Sequence, residues 1–338
     1  MPECPGMVYS ICMHEFLIGK NDAGQRLDRF LRKAVPQLPS SMIQKSIRMK
    51  RIKVNRKRAA GDQRLAEGDR VQVFLRDSAP PDPHAVTDDW RRIAKPDLSL
   101  VYEDANLLLV DKKAGVLCHS GTRHEYNTLI AHIQAYLAEK GEWQPEAENA
   151  FAPALCNRID RNTSGIVIAA KNADALRIVN EKIKSREIDK YYLCVVHGCP
   201  RPQTGVLENW LFKDSVKNQV YVRELPCSGA RTARTEYRVL ASEGPLSLVE
   251  CHLLTGRTHQ IRVQMAHAGW PLLGDGMYGS ERLNRRYGET RQALCSYRLC
   301  FSFLRGAESL SYLNGKAFTV SQVDFLQRYF PEVDLSRL

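Results

Sequence analysis

Apolar positions along the first quarter of the chain fall first at helical spacing and then at strand spacing. Residues 26–31 place Leu27, Phe30 and Leu31 on one helical face, and Ser40 or Ser41 is positioned to cap a second helix running through Met49. Apolar alternation or unbroken apolar character then marks strands at 52–55 and 70–75, with Glu67, Gly68 and Asp69 as turn residues before the second. From 77 to 97 the pattern is interrupted: Pro80, Pro81, Pro83 and Pro96 stand among scattered charges, as in a linker of restricted backbone. Strand patterns resume at 98–104 and 106–111. Further on, 166–170 is an apolar run leading into a helix over 172–184, and 190–198 is a strand on which Lys190, Tyr192 and Cys194 point one way. A later strand ends at Gly256. Thr258 is the expected N-cap of the helix that follows, Gly269 sits at its C-terminal end, and His259 and Arg262, three apart, share a face. The division expected from these patterns is 14–76 as a small module, 77–97 as a linker and 98–338 as the main domain.

Charge sharpens the picture of the small module. The chain carries 49 Lys and Arg against 38 Asp and Glu, a net +11, which favours a polyanionic partner because phosphate contacts release condensed counterions. Net charge alone fits a merely soluble basic surface equally well. The excess is local, however: between 26 and 58 a dozen basic residues, among them Arg48, Lys50, Arg51 and Lys53, are opposed only by Asp28. Ten cysteines are scattered with no C-x-x-C pair, so neither a disulfide framework nor a zinc site is expected. Reduced thiols among apolar neighbours, no secretory leader and no run long enough to span a bilayer lead us to expect a cytoplasmic protein that does not enter membranes. No symmetric helical seam is visible, and a monomer is expected.

Three stretches carry candidate chemistry. In the first, Arg158, Ile159, Asp160, Arg161, Asn162, Thr163, Ser164 and Gly165 form a charged loop feeding the apolar run at 166–170; taken alone, Asp160 reads as a turn former that accepts backbone N–H groups. The second is the strand with Lys190 and Tyr192, the latter read alone as an ordinary core aromatic. The third runs from Gly256 through Arg257, Thr258, His259, Gln260 and Ile261 to Arg262, a helix start rich in cations and suited to phosphate. Together, and in this order, they resemble the RluA family of pseudouridine synthases of the ribosomal large subunit, whose pattern is R-L-D-x-x-T-S-G, K-x-Y, then G-R-T-H-Q-I-R. The likeness spans most of 98–303. It takes in Lys112, Lys113, Ala114 and Gly115, the stretch 271–275 with Tyr278 and Gly279, and 292–294. The two helices followed by Lys50, Arg51, Ile52, Lys53, Val54 and Asn55, with Gly68 and Asp69 before the last strand, resemble the S-four-like RNA-binding module found in front of many such domains.

The resemblance implies an α+β fold: a catalytic domain built on a mixed, largely antiparallel sheet, preceded by a small α/β module. It implies an isomerase that needs no metal or other cofactor and acts on structured RNA, with 23S-type ribosomal RNA the expected partner. Transfer RNA, or an inert RNA-binding role in ribosome assembly, are the alternatives. By the same resemblance Asp160 is the catalytic aspartate, Arg262 pairs with it and orients it, Arg158 lies on the loop that enters the RNA, and Tyr192 stacks on a flipped uracil and takes or relays a proton. Arg257, His259 and Lys190 are expected at the RNA, with Arg48, Lys50, Arg51 and Lys53 on the small module. Flipping is required because the bond from ribose to uracil cannot be cut and remade while the base is stacked. Addition to uracil carbon six, attack on the anomeric carbon and removal of a ribose proton would each employ one aspartate. The chain departs from the family pattern at Asn157, where histidine usually stands, and at Ile159 for leucine, Lys113 for proline and Gln264 for a frequent histidine.

Overall fold

The computed structural model describes residues 11–76, 88–121 and 125–338. The chain gathers into two compact units: one holds the chain up to 96 with 133–153 and 171–174, the other holds 97–132, 154–170 and 175–338.

In the first unit an antiparallel sheet of order β1-β4-β2-β3 comprises β1 (Ile11–Leu17), β2 (Ile52–Val54), β3 (Lys57–Arg58) and β4 (Arg70–Arg76). Helices α1 (Leu27–Ala34) and α2 (Ser40–Arg48) join β1 to β2 in sequence. Phe30, Leu31, Ile43, Ile52, Val71 and Val73 bury the apolar side of each element in one core. The two helices and the strands β2 and β4 lie where apolar spacing puts them. Neither serine caps α2: Pro39 is its N-cap, and the Pro39 carbonyl accepts the N–H groups of Met42 (2.9 Å) and Ile43 (3.1 Å), so Ser40 and Ser41 are already helical. The proline ring, which presets φ near −65°, starts this helix without a side-chain cap. Strand β1, which pairs with β4 along its whole length, has no counterpart among the expected elements. Of the expected linker, 77–87 lies outside the described residues and Asp88–Arg92 forms a 3-10 helix. Residues 133–153, expected with the main domain, group with this unit instead: Asn149 Nδ2 donates to the Leu17 carbonyl (2.7 Å) and to Asp22 (3.0 Å), and Asn21 Nδ2 donates to Glu148 (2.6 Å).

Among the described residues the second unit is built on an eleven-stranded sheet, of order β11-β10-β12-β13-β9-β14-β8-β6-β5. Its strands are β5 (Leu100–Glu103), β6 (Leu107–Lys112), β7 (Ala154–Leu155), β8 (Ser164–Ala170), β9 (Ile188–His197), β10 (Thr204–Asp214), β11 (Gln219–Arg223), β12 (Arg231–Glu243), β13 (Leu246–Leu253), β14 (Leu294–Phe301) and β15 (Ala317–Thr319). Off the main path, β7 pairs with β8 and β15 with β14. Every described pairing is antiparallel except β8 with β14, which is the mixed, largely antiparallel sheet expected for an α+β fold. Helices α3 (Leu129–Glu139), α4 (Ala173–Lys184) and α5 (Gln260–His267) intervene in sequence. Ile166, Ile168, Leu193, Val195, Tyr297 and Phe301 centre the largest core cluster, and side chains of this size each contribute about 1.5–3 kcal/mol on burial.

The parallel pairing of β8 with β14 explains one letter of the first motif. Gly165 lies opposite Ser296 where β8 meets β14, its φ is +106°, and a Cβ there would stand 2.2 Å from the Ser296 carbonyl oxygen. Both the backbone angle and the space exclude a side chain. Gly165→Ala is therefore expected to cost at least about 2 kcal/mol, since a left-handed L-residue alone costs about 1–2 kcal/mol before any clash. Urea unfolding of the variant beside the parent checks this.

Candidate active site

A loop of eight residues, 156–163, leaves β7 and re-enters the sheet at β8, and it is tied to its surroundings at several positions. Lys112, at the end of β6 and 1% exposed, donates from Nζ to the carbonyls of Lys113 (3.0 Å), Val116 (2.8 Å) and Arg161 (3.0 Å). Burial pulls this ammonium down to about 8, so it remains charged at neutral pH, where three carbonyl acceptors replace its hydration. The Gly115 N–H also donates to the Arg161 carbonyl (2.8 Å), Cys118 Sγ to that of Ile159 (3.4 Å), and Gln292 Nε2 to Thr163 Oγ1 (3.3 Å). Asp160 sits inside this frame, on a loop because its neighbours are satisfied by side chains rather than by a strand ladder.

Helix α5 brings the cation. Its N-cap is His259, in the left-handed region at φ +53°, one residue later than the expected Thr258; the helix ends at His267 with Gly269 (φ +88°) just beyond, as expected. No side chain caps the helix; instead Gln260, its first residue, reaches back, its Oε1 accepting from Thr255 Oγ1 (2.9 Å) and from the Arg257 N–H (3.0 Å) in the turn that leads into it. Gln260 Nε2 donates to the Arg234 carbonyl and Thr235 Oγ1, and one turn later Gln264 Nε2 donates to the carbonyls of Leu207 and Ala233 and to Asn209 Oδ1. The two glutamines moor α5 to β10 and β12, so glutamine at 264 has a defined structural task.

From that helix Arg262 spans two carboxylates. Its Nε and Nη2 form a bidentate pair with Asp275 (2.7 and 3.0 Å), and Nη1 donates to Asp160 Oδ2 (2.9 Å). Asp275 is fully buried. Burial by itself would raise its carboxyl, but Arg262 and the backbone N–H groups of Tyr278 and Met277 more than offset that and hold it below the usual carboxylate range. The guanidinium plane also lies against the Tyr278 ring, 5.2 Å to its centroid. His259 Nε2 stands 3.9 Å from the same Asp160 oxygen, while its Nδ1 meets the Tyr278 hydroxyl at 2.9 Å, and that hydroxyl accepts the Val220 N–H (2.8 Å). Burial, then Arg262, lower the His259 imidazole against the pull of Asp160, favouring its neutral form. Both contacts to the Asp160 carboxylate thus fall on Oδ2.

Asp160, Tyr192 and Arg262 line one cleft of ≈ 570 Å³ in the second unit, together with Arg158, Lys190, Arg257 and His259. Arg158 is exposed. Burial holds the Lys190 ammonium below its ordinary value, and burial, with Arg231 and Arg186 near, does the same to Arg257. Tyr192, on β9 opposite Cys251, is 7% exposed, and burial pushes its phenol up to about 12. At neutral pH its hydroxyl therefore keeps its proton. Arg48, Lys50, Arg51 and Lys53 belong to the first unit, with Arg48 and Lys50 exposed and Lys53 over the Phe74 ring at 5.4 Å. Asp275, Lys112, Gln260 and Tyr278 escape notice in the sequence as site residues. The signals were present: Gly274 and Asp275 precede Tyr278 and Gly279 in a turn pattern, and Lys112 closes an apolar strand, where a lysine needs a partner. Among the described residues no group of three or more His, Cys, Asp or Glu is placed to hold a metal ion, and no helix is long and apolar enough to cross a membrane.

The family model described as RNA pseudouridylate synthase matches residues 106–267. The chain is 32% identical over 268 residues to the ribosomal large subunit pseudouridine synthase C of Vibrio vulnificus (strain CMCP6), covering 79% of this chain and 80% of that protein. It is 30% identical over 277 residues to the protein of the same name from Escherichia coli (strain K12), covering 82% and 83%. Of solved structures, human RNA pseudouridylate synthase domain containing 4 shares the fold at TM-score 0.53 and 22% identity, over 68% of this chain and 92% of that one. Human RNA pseudouridylate synthase domain containing 1 does so at TM-score 0.50 and 21% identity, over 70% and 96%.

The geometry predicts that Asp275→Asn, which leaves one carboxamide oxygen where Arg262 needs two acceptors, lowers turnover on the order of 10²-fold, as displacements of about 1 Å in a reacting group do. RNA affinity is expected to stay within about twofold. Single-turnover rates measured beside filter-binding affinities check both.

Proposed function

Because the chain belongs to the RNA pseudouridylate synthase family, we propose that it converts selected uridines of large-subunit ribosomal RNA to pseudouridine, with Asp160 as the catalytic carboxylate. The observation that carries this reading is the carboxylate held on one oxygen by Arg262, itself clamped by Asp275, within a cation-lined cleft.

The reaction is an isomerisation. The bond from ribose C1′ to uracil N1 breaks, the base turns, a bond from C1′ to C5 forms, the C5 proton leaves and N1 gains one. A base inside a stacked helix cannot turn, so the nucleotide is flipped into the cleft, and the exposed Arg158 at its edge fills the vacated place or holds phosphate. Tyr192 offers its ring to the flipped uracil and, with a phenol at about 12, returns protons rather than removing them. With Oδ2 engaged by Arg262, Asp160 presents Oδ1 to the reacting nucleotide. Lys190, Arg257 and His259 meet the strand entering the cleft. The proposed division of labour assigns 14–76 as an S-four-like RNA-binding domain, 77–97 as a linker and 98–338, less the stretches 133–153 and 171–174 that group with the first unit, as the catalytic domain. In it, Arg48, Lys50, Arg51 and Lys53 grip phosphates away from the cleft, and the protein works as a monomer in the cytoplasm.

Pseudouridine mapping of total RNA from cells lacking the protein, complemented with the parent or with Asp160→Asn, tests the assignment. Sites in large-subunit ribosomal RNA are expected to return only with the parent. Restoration in transfer RNA alone would replace the substrate, and restoration by Asp160→Asn would remove the aspartate from its role. Replacing Arg48, Lys50, Arg51 and Lys53 together by Gln is expected to weaken RNA binding and to lower the slope of log K against log salt by roughly 3, near 0.7–0.9 per lost phosphate contact. An unchanged slope would take these four off the RNA.

A further inference from the structure

The antiparallel ladder between β7 and β8 breaks at an identifiable rung. Ala154 faces Ala170 and Leu155 faces Ala169, and at the next step the Cys156 N–H donates to the Ile168 carbonyl at 2.8 Å. In a continuing ladder such a pair exchanges two bonds, and the Ile168 N–H would return to the Cys156 carbonyl. It goes instead to Asn157 Oδ1, at 2.8 Å. The side chain of the following residue has taken the place of the main-chain acceptor, so the backbone is released from the sheet while the buried donor of β8 stays satisfied. Three residues later comes Asp160. Groups from elsewhere reach in to Ile159, Arg161 and Thr163, and the Arg161 side chain reaches out to the Gly115 carbonyl and to Glu125; Asn157 makes its tie with its own side chain at the point of departure, to the strand that the loop is leaving.

We propose that Asn157 is a positioning residue for the isomerisation: its carboxamide oxygen ends β7 and fixes the starting point and direction of the loop that carries Asp160. The role asks for one acceptor at the δ position and nothing of the amide NH2. Histidine, the residue that usually precedes this motif in the resembling pattern, places its Nδ1 at the same distance along the side chain, so the neutral ring can accept the same N–H. The departure at 157 then preserves a contact rather than losing one. This inference rests on the proposed activity for its kinetic arm and on geometry alone for its structural arm.

The test compares the full chain with Asn157→Leu, which keeps the bulk and removes the acceptor, and with Asn157→Asp and Asn157→His, which keep an acceptor at the δ position. Two measurements are made on each: amide hydrogen exchange at Ile168, and tritium release from C5-labelled uridine in an unmodified transcript of large-subunit ribosomal RNA, resolved into kcat and KM. Leu is expected to speed exchange at Ile168 at least tenfold and lower kcat at least tenfold, with KM within about twofold. His is expected to keep both near parental values, and Asp is expected to keep kcat and the slow exchange while its charge raises KM. Exchange at Ile168 unchanged in Leu, or kcat unchanged in Leu, overturns the proposal. Equal losses of kcat in Leu, Asp and His also overturn it, because they would assign the effect to the amide NH2. A Leu protein that fails to fold leaves His and Asp as the deciding pair, since loss of slow exchange in both is equally fatal. If the parent itself releases no tritium, the proposed activity fails, and exchange at Ile168 still decides the contact.

Discussion

A guanidinium between two carboxylates organises the catalytic unit. Arg262 cannot satisfy both aspartates in the same way. Two of its donors face Asp275, which is fully buried, closely bonded and further held by backbone N–H groups, and the third reaches Asp160 in the cleft. One carboxylate is structural and the other is available. The asymmetry is physical: a buried ion pair is tolerated only when its remaining lone pairs and donors are matched, and Asp275 has the matching partners. The arginine is thereby oriented before any RNA arrives, and Asp160 inherits that orientation through a single bond.

That bond depends in turn on the placement of α5. The helix, whose entrance carries Arg257 and His259 beside the cleft, buries Ile261, Val263 and Met265 in the cores of the sheet, and Gln260 and Gln264 add directional bonds to β10 and β12 that fix its rotation. Side chains also stand in for main chain in the loop of Asp160, where Lys112 and Asn157 satisfy main-chain groups that a ladder would otherwise have paired. Irregular backbone near a reactive group is stable here because each exposed donor or acceptor has been given a specific partner.

Much of this was readable in the amino-acid sequence, and the boundary of legibility has a cause. The helices of the first unit and the strands β5, β6, β8, β9 and β13 of the large sheet follow from apolar spacing, because burial of one face is a local, periodic demand, whereas β7, β10, β11, β12, β14 and β15 have no counterpart among the expected elements. Asp160, Tyr192 and Arg262 were named by their motifs, but their meeting in one cleft is a property of sheet order, which brings β8, β9 and the helix after β13 together across large sequence separations. Asp275 and Lys112 carried no periodic signature, since their partners are carbonyls, N–H groups and one arginine rather than a face. Strand β1 went unrecognised because Cys12, Met13 and His14 break clean alternation, and its pairing with β4 becomes evident only when the partner is in place. Residues 133–153 join the first unit through contacts that no composition shift announces: the Asn21 and Asn149 side chains, Trp90 edge-on to Trp143, and Ala150 against the small core.

Lys112 has a mechanical consequence for how the cleft receives its nucleic acid. One ammonium holds the carbonyls at 113 and 116, on the segment leading to the cleft wall at Leu117 and Cys118, and the carbonyl at 161, next to Asp160. Wall and loop thus share one buried cationic anchor, so a force that displaces the wall works against the same bonds that hold the loop of Asp160.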